Sequence, residues 1–491
     1  MLRFAIAGIL LWLLAPVAMA ARPNIVWIVV DDMSANFSCY GEQAIQTPHV
    51  DRLAREGTRF SHAFVTAPVC SASRSALITG CYQTTIGAHN HRSGRGEIKI
   101  HLPEGVEPVP ALFQRAGYFT CIGGFDARRG RLGKTDYNFE WDRSIYDASD
   151  WSERKPGQPF FMQVQLHGGK YRGSQKHEYD AWAKRVFDRL GSNVPIEAVV
   201  LPDYYPRDPV LLEDWARYLD AVRYTDDEVG QILARLEREG ILEETVVCFM
   251  TDHGISHARG KQFLYDEGIH VPLVMRGPGI APAMVRDDLV QHIDLGATSL
   301  ALAGIAVPDW MQGRDLLAAD YQPRQAVFAA RDRCDETVEH IRAVRTERFK
   351  YIRNYLPERP HLQPNAYKDG KAIIQRLREL HTAGSLNEVQ ERLLFSPKRA
   401  PEELYDLAAD PQELVNLAGR EEYRAELESL RRQLDEWEHS TRDRGRTAEP
   451  DAMYDSDMAV YLGNRQGAPG DPPSAVERNI ELMKRWAAEG K

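Results

Sequence analysis

Apolar and polar positions along the chain follow two rhythms. Short, nearly unbroken apolar runs lie at Asn24 to Val30, Thr120 to Gly123, Phe160 to Leu166, Val246 to Thr251 and Val271 to Met275. Runs of this length suit strands buried on both faces of a largely parallel sheet. Between them lie helical patterns. Trp215, Leu219, Val222, Val229, Ile232 and Leu236 recur at spacings of three, four or seven, which predicts one long helix over Leu211 to Leu236. Thr47-Pro48 has the form of an N-cap and first helical residue, and Gly57 is placed to end that helix. Strands alternating with helices predict an α/β fold, with a large, mixed but mostly parallel sheet sandwiched by helices.

The rhythm changes after Asp309. Ala326 to Ala330, Ala343 to Thr346 and Tyr351 to Asn354 read as short strands. Tyr423, Leu427, Leu430, Leu434 and Trp437 form a stripe at alternating spacings of four and three, suited to a helix packed on a small sheet. The expected organisation is a main domain over residues 21–320 and a smaller α+β subdomain with a small antiparallel sheet over 321–440. The segment 441–491, rich in Gly, Pro, Asp and Arg, is expected to be loop or a surface arm. At the other end, Arg3 precedes the apolar run Phe4 to Leu14, and Ala18-Met19-Ala20 supplies small residues for cleavage. Residues 1–20 therefore read as a signal peptide, too short to be a stable membrane anchor, and predict an exported, periplasmic or secreted protein.

Composition narrows the function. Apolar residues make up 43% and charged residues 27% of the 491, close to a soluble globular average. The net charge of −10 argues against a general nucleic-acid binder, which needs a basic face. Six cysteines are too few for a disulfide scaffold. With Cys70 set aside, Cys39, Cys81, Cys121, Cys248 and Cys334 remain, an odd number that leaves at least one thiol free.

Candidate chemistry gathers at two strand ends, where open α/β sheets place their ligands. Val29-Val30 runs into Asp31-Asp32, and Met250-Thr251 runs into Asp252-His253-Gly254. Clustered carboxylates repel one another and so either protonate or bind a cation. Oxygen-rich ligation selects calcium or magnesium over zinc. Between the pairs, Cys70-Ser71-Ala72-Ser73-Arg74 opens a helix that Gly80 is placed to end. Cys70 then sits at a helix N-terminus, where free N–H groups favour an anion, and Arg74 lies one turn on along the same face.

The stretch Cys70 to Gly80, Cys-x-Ala-x-Arg then four residues then Thr-Gly, resembles the signature of the type I sulfatases of the alkaline phosphatase superfamily. Asp31-Asp32, Asp252-His253-Gly254, Lys261 before Leu264-Tyr265-Asp266, and Leu404-Tyr405-Asp406-Leu407 follow in that family's order. The resemblance implies an alkaline-phosphatase-like fold and oxidation of Cys70 to formylglycine by a formylglycine-generating enzyme. It further implies a divalent ion, calcium or else magnesium, held by Asp31, Asp32, Asp252, His253 and the group at Cys70. Arg74 would hold the hydrate and the metal ligands, and Lys134 and Lys261 the sulfate oxygens. The hydrate's first hydroxyl would attack sulfur, and its second would allow sulfate to be expelled with return of the aldehyde.

Two positions depart from that pattern. Asp136 stands two residues after Lys134, where many members carry histidine, and Lys170 falls where many carry the histidine that protonates the leaving group. His167, three residues earlier, has the side chain better suited to proton donation near neutral pH and is slightly preferred as the acid, with Lys170 as a charge on the sulfate. His257, His91, Arg92 and Arg128 are candidate substrate contacts at the mouth of the cleft. The substrate expected from the resemblance is a sulfated carbohydrate, O- or N-sulfated, as in bacterial enzymes similar to heparan N-sulfatase. The alternatives are a phosphomonoester or phosphonate-ester hydrolase on the same scaffold and a catalytically impaired glycan-binding relative.

Overall fold

The computed structural model describes residues 22–125, 131–463 and 472–491. The expected signal peptide and Arg128 lie outside the described residues.

The principal sheet has seven strands in the order β3-β4-β1-β5-β6-β2-β7. These are β1 (Asn24–Val30), β2 (Thr58–Phe64), β3 (Phe119–Gly124), β4 (Phe160–Leu166), β5 (Thr245–Thr251), β6 (His270–Arg276) and β7 (Met284–Gln291). Four of the six pairings are parallel, and β6 runs antiparallel to both β5 and β2. The sheet is thus mixed and mostly parallel, flanked by helices on both sides.

The strand sequence explains that sandwich. Along β1, Val26, Ile28 and Val30 join one apolar cluster, while Ile25, Trp27 and Val29 join another. The first cluster includes Trp215, Val222, Val229 and Leu236 of the long helix Pro209–Arg238. The second includes Leu77 and Ile78 of α2 (Cys70–Thr79) and Leu295 and Leu300 of the helix Asp294–Leu302. Every β1 side chain is buried, and full burial of a large aliphatic side chain is worth about 1.5–3 kcal/mol. Two-sided burial is why this strand shows no polar alternation. α1 (Pro48–Glu56) has Thr47 and Gly57 at its ends, as the sequence indicates.

A second, antiparallel sheet of four strands has the order β11-β10-β9-β8, formed by β8 (Val327–Arg331), β9 (Ile341–Arg345), β10 (Phe349–Asn354) and β11 (Glu402–Asp406). Leu427, Leu430, Leu434 and Trp437 of the helix Arg424–Ser440 pack with Val344, Tyr351 and Leu404 of this sheet. The segment after Ser440 departs from the expected loop or arm, because it contains the helices Asp451–Leu462 and Ala475–Ala488. Val476, Ile480 and Met483 of the last helix are buried, with Val476 and Ile480 clustered against Tyr454 and Met458. That short stripe is hidden in a composition rich in loop-forming residues.

Candidate active site

Three parallel neighbours in register create the site. Val30 of β1 pairs with Leu166 of β4 on one side and Thr251 of β5 on the other. The residues that follow therefore emerge side by side: Asp31-Asp32, His167 to Lys170, and Asp252-His253. The backbone continues the pairing for one step, with Asp252 N–H donating to Val30 O at 2.8 Å and Asp31 N–H to Leu166 O at 3.1 Å.

α2 meets these strand ends at its first turn. Arg74 closes the group like a fork: Nε donates to Asp252 Oδ2 at 2.9 Å, and the two terminal nitrogens bond Asp31 and Gln165. One guanidinium thus ties the ends of β5, β1 and β4. A planar donor array suits this task as a lysine would not. The Cys70 sulfur faces His253 Nε2 at 3.1 Å, Lys261 Nζ at 3.2 Å, and Lys170 Nζ and Asp32 Oδ1 at 3.7 Å. Burial alone would raise the Cys70 thiol pKa. The ammonium groups of Lys134, Lys170 and Lys261 and the His253 ring reverse that and hold it well below the usual thiol range. Position 70 is a place built for negative charge.

The carboxylates sit behind this cationic face. Lys134 lies 3.0 Å and Lys170 2.7 Å from Asp31, while Lys261 lies 3.2 Å from Asp32. Burial works against ionisation of Asp31 and Asp32, but these lysines, with Arg74 at Asp31 and His253 at Asp32, hold both well below the usual carboxylate range. Asp252 differs. Burial, helped by the charge on Asp31, pushes it up to about 6. His253 Nε2 stands 3.2 Å from Asp32 Oδ1 and 3.5 Å from Asp252 Oδ1. Three buried carboxylates and an imidazole converge, and burial together with the neighbouring Asp31 charge makes Asp252 ionise less readily than the other two. That donor set fits a hard divalent cation, which would relieve the crowding.

The residues after β4 correct one expectation. His167 is exposed, with its ring against Tyr171 at 5.3 Å, whereas Lys170 reaches Asp31 and Cys70. The two glycines between them explain the exchange. A Cβ on Gly168 would lie 2.2 Å from Asp31 O, and one on Gly169 would lie 2.1 Å from Asp32 O. Without side chains there, the chain turns over the Asp31-Asp32 backbone and delivers Lys170 to the cluster. Burial would discharge Lys170, but Asp31 and Asp32 keep its pKa well above the ordinary lysine value. It serves as a held charge.

His257 is a second correction. It does not line a rim. Its ring is fully buried against Trp215, and Nε2 lies 3.3 Å from Asp214 Oδ1. Its burial follows from the aromatic face of the long helix, which includes Trp215 and Tyr218.

His91 and Arg92 do reach the site. Arg92 N–H donates to Ser71 Oγ at 2.8 Å, and Arg92 Nη1 lies 3.4 Å from Asp335 Oδ1. A ring nitrogen of His91, the Cys70 sulfur and a carboxylate oxygen of Asp136 lie within 4.8 Å of one another. His91 Nδ1 is 3.2 Å from Asp335 Oδ1. Burial opposes charge on this ring, but Cys334 and Asp335 hold its pKa well above the usual imidazole value.

Three residues at the site had not been singled out from sequence. Gln165 accepts from Arg74, Asp335 holds His91, and Tyr367 OH donates to Asp32 Oδ2 at 3.3 Å. Gln163 and Gln165 interrupt the buried apolar strand β4, a readable sign of polar partners there, although only Gln165 meets Arg74. Tyr367, on the short helix Ala366–Asp369, lies 335 residues from its partner and offered none.

The chain is similar to known proteins over most of its length. Residues 23–305 match the sulfatase family model, and residues 253–393 match the model described as N-sulphoglucosamine sulphohydrolase, C-terminal. An ulvan-active sulfatase of Formosa agariphila is 32% identical over 454 residues, covering 85% of this chain and 74% of the relative. Human N-sulphoglucosamine sulphohydrolase is 27% identical over 473 residues, covering 86% and 91%. A solved 2-O glycosaminoglycan sulfatase shares the fold with a TM-score of 0.60 at 20% identity, covering 94% of this chain and 100% of that one.

Proposed function

This chain belongs to the sulfatase family of sulfuric ester hydrolases, and on that premise we propose that it is an exported enzyme removing sulfate from a carbohydrate. Position 70 would carry formylglycine, made from Cys70 by a dedicated maturation enzyme. Asp31, Asp32, Asp252 and His253 would hold a calcium ion, with magnesium as the alternative. The ion supplies Lewis-acid neutralisation of sulfate charge, and the aldehyde hydrate supplies a nucleophilic hydroxyl with a built-in exit for sulfate.

The chain's own side chains account for the rest. Lys134, Lys170 and Lys261 neutralise an anion brought to position 70, and their fixed placement means no reorganisation is needed as charge develops. Arg74 orients Asp31 and Asp252 and contributes a charge behind them. The carbohydrate substrate is supported by the names of the relatives, which act on ulvan and on N-sulphoglucosamine. The observation that carries the reading is the Cys70 sulfur, set at a helix start within 3.7 Å of two lysine ammonium groups and an imidazole.

The test compares aryl sulfate, aryl phosphate and aryl phosphonate esters, followed by sulfated oligosaccharides from ulvan and heparan. Preferred turnover of sulfate with release of inorganic sulfate from an oligosaccharide is expected. Faster phosphonate hydrolysis would move the assignment to the ester-hydrolase alternative. Tight oligosaccharide binding without release would favour the glycan-binding one.

A further inference from the structure

We propose that His91 is a catalytic residue, exchanging a proton with the oxygen carried at position 70. The inference rests on the reading of Cys70 as the precursor of formylglycine. His91 is only 3% exposed, and its Nε2 is buried with no hydrogen-bond partner among the described residues. Nδ1 is already committed to Asp335 Oδ1 at 3.2 Å. A buried imidazole nitrogen left open is costly unless something that is absent from the bare chain completes it. The neighbours identify that something, because a His91 ring nitrogen lies within 4.8 Å of both the Cys70 sulfur and the Asp136 carboxylate.

The arrangement is a carboxylate–imidazole pair directed at a reacting group. The loop is held in place from both ends. His91 N–H donates to Arg333 O at 2.8 Å, Asn90 Oδ1 accepts from Arg333 N–H at 3.0 Å, and Arg92 N–H is tied to Ser71 of α2. Asp335 has φ of 52°, in the left-handed region that side chains seldom adopt, which marks a backbone held in place to aim its carboxylate. Asp136, also left-handed at 57°, is bound by Arg95, and its carboxylate occupies space near Cys70 without offering a proton acceptor as basic as an imidazole.

His91 would act when sulfate departs. The carbon–oxygen bond to sulfate breaks and its electron pair leaves with the sulfate. The O–H pair of the remaining hydroxyl becomes the second bond of the aldehyde, and His91 Nε2 takes the proton. The ring, charged while position 70 is an aldehyde, gives its proton to the carbonyl oxygen when water adds and the water gives one up to solvent. It is then neutral through attack on sulfur and free to take the hydroxyl proton when sulfate leaves, so it ends the cycle as it began. Asp335 fixes the ring orientation throughout.

The experiment mixes wild-type enzyme, His91→Ala and Asp335→Asn with excess aryl sulfate, quenches in acid, and measures the residue-70 peptide by mass spectrometry. His91→Ala should retain formylglycine, lose about 10²–10⁴ in kcat, and carry one SO₃ group on most of its residue-70 peptide. Asp335→Asn, which keeps the ring, should show the same adduct at a lower fraction. Should His91→Ala not fold, Asp335→Asn carries the test alone. Folded variants that contain formylglycine yet turn over like wild type, or lose activity with no sulfated peptide, overturn the role of His91. Active wild-type enzyme without formylglycine would instead overturn the reading of position 70.

Discussion

The Lys170 ammonium stands 2.7 Å from the Asp31 carboxylate, while His167, three residues before it, is exposed to solvent. A fixed ammonium in that place would supply charge to a bound sulfate rather than a proton to its leaving group. Lys170→Met should therefore lower kcat/KM by about 10²–10³ on aryl and sugar sulfates alike, the usual cost of losing one preorganised donor. His167→Ala should stay within about twofold, as for a surface change. Steady-state kinetics on both substrate types decides it. A loss confined to sugar sulfates in Lys170→Met would show proton donation instead.

Removal of the divalent ion should abolish turnover without unfolding the chain. Dialysis against a chelator is expected to stop activity, and calcium or magnesium to restore it. Asp252→Asn should prevent that restoration. Ligand binding at 100 times its dissociation constant stabilises a fold by about 2.7 kcal/mol, so added ion should raise the melting temperature of wild type more than that of Asp252→Asn. Full turnover in strong chelator would remove the ion from the reaction.

Cys70→Ala should be inactive on every sulfate tested, and Cys70→Ser should be inactive where the modifying enzyme reads only cysteine. In wild-type preparations, the mass loss that marks the aldehyde on the residue-70 peptide should scale with specific activity. Unmodified Cys70 with undiminished turnover would disprove the assignment.

Acid should weaken the fold through buried histidines. His292 Nε2 lies 3.0 Å from Ser73 O beneath α2, and burial pushes its pKa down to about 4. His257 is likewise pushed down to about 4, burial outweighing Asp214. Below the unfolded value of 6.5 the unfolded chain binds protons that these folded rings refuse. Stability is therefore complete above 6.5 and declines as pH falls toward 4, by up to about 3 kcal/mol for each ring. Melting curves across that window should show the slope, and His292→Gln should flatten it. An unchanged slope in that variant would exclude His292 as a contributor.

What the sequence made readable was what rests on local pattern. Asn24 to Val30 and Phe160 to Leu166 match β1 and β4 residue for residue, because strands buried on both faces are written as apolar runs. β2 and β7 did not stand out, since Thr58–Phe64 and Met284–Gln291 mix charge with apolar residues, β2 being half-buried in places and β7 exposed along its first half. The Asp31-Asp32 and Asp252-His253 pairs were legible as strand ends, and their convergence required only in-register parallel neighbours. Which of His167 and Lys170 turns inward was not legible. It depends on how closely Gly168 and Gly169 can approach the Asp31 and Asp32 carbonyls, which is a property of the packed backbone. Asp335 was hidden for a related reason, because its partner His91 lies 244 residues away.

All ten residues of α2, from Cys70 to Thr79, are buried in the finished fold. That feature sets an order of events in the protein's biogenesis. No enzyme could grip the Cys70-to-Arg74 segment once the helix is closed between the strand ends, so any oxidation of Cys70 has to come first, on a chain still extended. Folding and the proposed maturation of Cys70 would then compete for the same segment. A host that folds the chain faster than it modifies it would accumulate well-formed, stable and permanently inactive molecules, and slowing the folding would raise the yield of active ones.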